Sequence, residues 1–174
     1  QVRLHGLQPG TVYHYRVTSG GVTTADHTFT TTVGTGDAFL FCAYGDNRRG
    51  GQSWPQAVVA QAMLDEVPDF FVNTGDLVQF DEILGISTAM EWKQFFFKTG
   101  PLLAQTPLFA IRGNHDDDGP YFATYMDNPV SGSGNEHYYA FDYGNAHFLA
   151  LDSNITECSG AQLDFLESDL AAHE

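Results

Sequence analysis

The sequence predicts an α/β chain with a largely parallel sheet, preceded by the end of an all-β domain. Two observations carry this. Residues 1–33 read as short strands, alternating and rich in β-branched and aromatic residues. Residues 38–174 then alternate continuous apolar runs with helical patterns, the order that lays helices over a parallel sheet. GTGD at 34–37 reads as a short flexible linker between them.

In the first region VRL (2–4) alternates, and a Pro-Gly turn in GLQPGT follows it. TVYHYRVTS (11–19) puts Val12, His14 and Arg16 on one side and Tyr13, Tyr15 and Val17 on the other. HTFTTTV (27–33) is the third strand. These residues fit any antiparallel hairpin with a Pro-Gly turn. The combined LQPGTVYHYRV also resembles the end of a fibronectin type III or purple acid phosphatase N-terminal sandwich. The resemblance implies that Tyr13 is a tyrosine-corner residue, its hydroxyl bonding back to the turn. Such a sandwich needs about seven strands and ~100 residues. Residues 1–33 are therefore expected to be its C-terminal strands.

In the second region AFLFCAYG (38–45) is a continuous apolar run, expected for a strand buried on both faces. WPQAVVAQAMLDEV (54–67) has Val58, Ala62 and Leu64 at helical spacing and Pro55 in the first turn. DFFVNTG (69–75) is a second buried strand, and STAMEWKQFFFKTG (87–100) a helix opened by Ser87 and closed by glycine. PLFAIRG (107–113) is a third strand. HYYAFDYG and AHFLALDS flank Gly144-Asn145, a two-residue hairpin signal. SGAQLDFLESDLAAHE (159–174) reads as a capped helix. Trp54, Trp92 and the phenylalanines at 95–97 are expected in the core.

The chain carries a net charge of −15 with seven Lys plus Arg, which excludes nucleic acid and anionic membranes as partners, since both need a basic footprint. No apolar run reaches the ~18 residues of a membrane span. Hydrophobic residues at 43% are enough for a core, so disorder is not expected. Two cysteines, Cys42 and Cys158, are too few for a disulfide scaffold, and Cys42 reads as a small buried hydrophobe.

The chemistry sits where the apolar strands stop. The first ends in YGDNR with Asp46, Asn47 and Arg48, the second in NTGDLVQ with Asp76, and the third in IRGNHDDDG with Asn114, His115 and Asp116. Ligands of open α/β sheets gather outside the carboxyl ends of strands, so the three clusters converge. Their glycines allow sharp turns and close approach of a ligand. Aspartate, asparagine and histidine suit hard or borderline divalent cations or trivalent iron. Two cations about 3.5–4 Å apart need a shared carboxylate, and Asp76 in the central cluster is the natural bridge.

GDNR, GDLVQ and GNHD, in that order and strand context, resemble the calcineurin-like metallophosphoesterase superfamily. The preceding sandwich points to its purple acid phosphatase-like branch. The resemblance covers nearly all of the chain, as an internal portion of a longer protein. It implies a partial metallophosphoesterase sheet sandwich with helices over 38–174, and hydrolysis of phosphate esters at a dinuclear centre of Fe, Zn or Mn with a metal-bound hydroxide as nucleophile. Asp46 would bind the first metal, Asp76 would bridge both, and Asn114 would bind the second. His115 would contact the phosphoryl group or protonate the leaving oxygen, with Asp116 orienting its ring. The partner expected is a phosphorylated small molecule, and the location secreted, cell-surface or periplasmic.

Two positions depart from the pattern. The branch carries a tyrosine three residues after the bridging aspartate, where this chain has Gln79, so a tyrosinate–iron site is not expected. Many members have Asp, Gly or His where this chain has Arg48, which has no lone pair for a metal. Arg48 is expected instead to clamp phosphate bidentately. The family also completes its metals with three later histidines, in a lone His block and a GH-x-H block. His137 and His147 sit in strands and read as structural, so residues 1–174 alone are expected to bind metal weakly and to be inactive. Asp117 and Asp118 read as solvated acid, Arg49 as surface, and Asn154 lies in an NIT glycosylation sequon. Substrate specificity would lie in the loops at 80–85 and 119–136. The competing reading is a non-catalytic extracellular structural or adhesion module on a degenerate phosphatase fold.

Overall fold

The computed structural model describes residues 2–48, 54–79, 87–116, 121–131, 134, 136–154 and 159–173. Arg49, Asp117, Asp118, Cys158, the loop at 80–85 and part of the loop at 119–136 lie outside the described residues, as does the Trp54 side chain.

The N-terminal region forms two antiparallel pairs, β1 (Val12–Tyr15) with β4 (His27–Thr30) and β2 (Thr18–Ser19) with β3 (Val22–Thr23). Residues 2–4 form no strand, and the expected strand over 11–19 is divided at Arg16-Val17. Gly20 and Gly21, both at positive φ, turn the β2–β3 hairpin, a glycine pair the sequence reading passed over. The Tyr13 hydroxyl accepts from the Gln8 amide at 2.9 Å, back onto the Pro-Gly turn as expected. The GTGD segment is itself a turn, closed by Asp37 N–H donating to the Gly34 carbonyl.

Three parallel strands follow, β5 (Phe41–Tyr44), β6 (Phe70–Asn73) and β7 (Leu108–Ala110), in that spatial order. Alternation sends their side chains to two faces. Cys42, Tyr44, Phe71 and Leu108 pack on Ala60, Met63 and Leu102 of helices α1 (Trp54–Asp65) and α2 (Thr88–Leu103). The opposite face presents Phe41, Phe70 and Phe109 to the hairpin of β8 (Tyr139–Tyr143) and β9 (Ala146–Ala150), where Phe141, Tyr143 and Phe148 close an aromatic layer. Such ring pairs add ~0.5–1.5 kcal/mol each beyond the area they bury. Tyr143 pairs with Ala146 across Gly144-Asn145, and φ is positive at Gly144, the first central residue of the expected two-residue turn. Two short helices complete the order, α3 (Tyr121–Tyr125) and, at the C-terminal side, the longer α4 (Ala161–Ala172).

Several expectations are corrected. β5 is an edge strand with Phe41 and Ala43 exposed; only the central β6 has the near-complete burial its apolar run implied. α1 buries Gln56, Ala60 and Met63; of the three spaced residues Leu64 packs beside them, while Val58 is 64% exposed and Ala62 is exposed too. α2 runs through Gly100 and Pro101, and Phe97, expected in the core, faces solvent. Ser87 stands at its N-cap with no side-chain cap bond, and Gly160 rather than Ser159 precedes α4. Cys42 is a free thiol, half-buried.

Candidate metal centre

Because β5, β6 and β7 run parallel and in register, their carboxyl ends lie side by side. Asp46 follows the first, Asp76 the second, and Asn114, His115 and Asp116 the third. The loops are laced together by backbone bonds. Asp46 N–H donates to the Gly75 carbonyl at 3.1 Å, and Arg48 N–H to the Asp76 carbonyl at 2.8 Å. Asn47 accepts from Asn73 Nδ2 at 2.6 Å, so it ties two strand ends. Both aspartates are left-handed, Asp46 at φ 53° and Asp76 at φ 57°. Aspartate tolerates that region better than most residues, and such outliers concentrate at functional sites.

The glycines act mainly by letting loop approach loop. A Cβ on Gly113 would lie 2.2 Å from the Asp76 amide nitrogen, one on Gly45 2.1 Å from Thr74 Oγ1, and one on Gly75 2.8 Å from Gly113 Cα. Only Gly75 of these three has positive φ, so the sharp turns at the other two strand ends are not made by glycine dihedrals.

Arg48 sits between the two carboxylates. Its Nε lies 2.8 Å from Asp76 Oδ2 and 3.6 Å from Asp46 Oδ1, and its Nη1 donates to Gln79 Oε1 at 3.1 Å. The fork is turned onto protein groups, not held open for a bidentate phosphate. Asp76 is nearly buried, and its other oxygen accepts from His115 N–H at 2.9 Å.

His115 is held by Gln79, not by Asp116. The guanidinium can only donate, so Gln79 must turn its carbonyl oxygen to Arg48 and its amide to His115. Gln79 Nε2 then donates to His115 Nδ1 at 2.7 Å, which leaves the ring proton on Nε2. The expected role of Asp116 is corrected: its oxygens accept from Val78 N–H at 2.9 Å and Gly113 N–H at 2.8 Å, fastening the second loop to the third. Burial pushes its carboxyl up to about 6 against those two bonds. Below this lacing, Leu77 and Val78 pack on Trp92, Phe95 and Ala110, so the site loop rests directly on core.

Asp46, Arg48, Asp76, Asn114 and His115 line a cleft of about 390 Å³ that also holds Arg112 and Asn154. Arg112 Nε faces Asp152 Oδ2 at 3.4 Å, an ion pair without aligned hydrogen-bond geometry, and Asp152 is fully buried. Asn154 donates from Nδ2 to the Arg112 carbonyl at 2.8 Å. Arg112 has no role expected from its motif, and Asn154 only that of a glycosylation sequon. Position directly after β7 and β9 was the signal for both. A larger apolar cleft of about 590 Å³ lies between Tyr15, Phe29 and the end of α2, and carries none of this chemistry.

The calcineurin-like phosphoesterase family model matches residues 30–171. The chain belongs to the calcineurin-like phosphoesterase family. Purple acid phosphatase 15 of Arabidopsis thaliana is 24% identical across 98% of the chain, and the chain spans 38% of that protein's length. A solved structure described as the structure of PhoD superposes with a TM-score of 0.62 at 17% identity, over 85% of this chain and 38% of that one. The latter likeness establishes the α/β fold alone.

Membership of this phosphoesterase family implies metal ions, and the donor set fits them. Two carboxylates and the exposed Asn114 offer hard oxygen donors at adjacent strand ends. A cationic nitrogen already stands between Asp46 and Asp76, so the two carboxylates converge on one positive centre. Asp46, Asp76 and Asn114 are the residues that would hold metal there.

Proposed function

We propose that this chain carries the first half of the active site of a metal-dependent phosphoesterase, hydrolysing phosphate esters of small molecules at a dinuclear centre, outside the cytoplasm. The observation behind it is the convergence of Asp46 and Asp76 on a single cation beside His115. Bound metals would supply an activated water nucleophile and offset charge on the phosphoryl oxygens. The chain's own groups do the rest. Asp76 would be shared between the metals while its backbone-bonded oxygen fixes the third loop. His115, with Nδ1 filled by Gln79, has Nε2–H to donate to a phosphoryl or leaving oxygen. Arg48 holds the two carboxylates together, and with metal bound to them its guanidinium would be available to the ester. Arg112 adds a second guanidinium to the same cleft.

The test is hydrolysis of p-nitrophenyl phosphate and bis(p-nitrophenyl) phosphate by the full-length protein, with Mn²⁺, Zn²⁺ or Fe supplied after chelation. Activity should vanish with chelator, return with metal, and fall by about 10³-fold in Asp76→Asn, the scale of losing a group that stabilises transition-state charge. Chelator-resistant turnover, or Asp76→Asn at wild-type rate, overturns the proposal.

A further inference from the structure

We propose a second metal site, built from Asp142, His147 and His173 and backed by Asp169, that takes a borderline divalent cation such as Zn²⁺. One ligand atom from each of Asp142, His147 and His173 lies within 4.8 Å of the others. The residues come from β8, β9 and the residue that ends α4, so a shared ion would tie the helix end to the hairpin. His147 Nδ1 lies 2.6 Å from Asp142 Oδ1, and His147 Nε2 lies 2.5 Å from Asp169 Oδ1. Asp169 is 14% exposed and Asp142 72% exposed, so the two carboxylates are not equivalent. The sheltered Asp169 accepts from Nε2–H, and on the other side the Nδ1–H donates to the open Asp142, a proton that a cation would replace. A carboxylate behind the far nitrogen of a histidine is the usual support of a metal ligand.

The charge balance points the same way. With neutral imidazoles the four groups total −2, which one divalent cation neutralises. The His147 and His173 rings stack with centroids 3.8 Å apart at 20°, and His173 Nδ1 is bonded to the Asp169 carbonyl, so the His173 ring must turn to bring its Nε2 onto an ion shared with His147. Two imidazoles and one carboxylate suit Zn, Co, Ni or Cu better than Mg or Ca, and three protein ligands leave a position for water. The site is distinct from the strand-end centre. His147 lies near the start of β9, whereas the cleft takes Leu151, Ser153 and Asn154 beyond its end, ~13 Å further along the strand. The inference does not rest on phosphate-ester hydrolysis.

The experiment titrates Zn²⁺, and Co²⁺ as a spectroscopic probe, into the 174-residue chain carrying Asp76→Asn to disable the strand-end centre. One equivalent should bind, with an imidazole-ligated Co²⁺ spectrum. Adding His173→Ala, at a half-exposed position, should weaken binding at least tenfold without changing the fold by circular dichroism. Asp169→Asn should weaken it about 10–100-fold, as loss of a supporting carboxylate does. Proton uptake by the histidines with no metal bound, or unchanged Zn²⁺ affinity in His173→Ala, overturns the site.

Discussion

Replacing Gly113 by alanine tests the loop lacing where it is tightest. The new Cβ would meet the Asp76 amide nitrogen at 2.2 Å, Asp76 Oδ1 at 2.3 Å and the Gly75 carbonyl carbon at 2.9 Å. None of these is the far end of a flexible side chain; two are backbone, and the third is the carboxylate oxygen that accepts from His115. Ordinary contact begins near 3.4 Å, so the second loop must retreat by about 1 Å in a close-packed site. Overpacking of that kind costs about 1–3 kcal/mol. A displacement of about 1 Å at a reacting centre costs on the order of 10²-fold in rate. Urea denaturation of the 174-residue chain should show a lower midpoint at unchanged m, and the full-length protein should lose about 10²-fold in kcat. Gly100→Ala is the matched control. Apart from its chain neighbours and its own helix backbone nothing lies within 4 Å of its Cβ, so it should leave the rate unchanged, and since Pro101 follows it in α2 the helix gains little from the added methyl. If Gly113→Ala keeps the wild-type midpoint and rate, the close approach of the two loops is wrong.

Asp116→Asn puts an NH₂ group against one of two backbone donors, Val78 N–H or Gly113 N–H, and should destabilise the chelated protein by ~1–3 kcal/mol. The wild-type carboxyl is raised to about 6 from an ordinary value of 3.8, so its protonated form favours the fold. That contribution is complete below pH ~4 and is lost as pH rises through about 6, so the wild type should weaken across this window while the asparagine variant shows a flatter profile in urea midpoints. Tyr13→Phe removes the bond from the Gln8 amide at an exposed turn and should cost ~0.5–1.5 kcal/mol in thermal unfolding, with no effect on metal uptake.

What was legible in the sequence was local. Gly-Asp and Gly-Asn-His at the ends of apolar strands gave the parallel sheet and all three loops, because a buried strand and its polar terminus are near-neighbour patterns. The Gly144-Asn145 turn was legible for the same reason, since two residues fix its geometry. Long-range pairing was not. Nothing in GNHD says that Asp116 turns away from its neighbour His115 toward Val78, 38 positions earlier. The buried side of α1 was misread because its apolar residues encircle the helix, so spacing alone does not choose a face; packing on Phe71 and Leu102 chooses it. The edge position of β5 was hidden as well, because apolar content does not reveal which strands flank a strand.

The two departures from the family pattern, Arg48 and Gln79, are one feature. They stand 31 positions apart and meet through Nη1 and Oε1 at 3.1 Å. A guanidinium cannot ligate a metal, but it can hold two carboxylates together and orient an amide. The amide, replacing the tyrosine its branch carries at that place, cannot ionise or colour an iron, but it can fix the tautomer of His115. Gln79 is 3% exposed, so its carbonyl oxygen is satisfied by Arg48 rather than by solvent. Together they form a continuous chain from Asp46 and Asp76 through Arg48 and Gln79 to His115, so the pairing of the carboxylates and the orientation of the histidine run through the same four contacts. A cation held by both carboxylates would have to displace Arg48 from them, and Arg48 is the group that draws the Gln79 carbonyl to itself and leaves the Gln79 amide to His115.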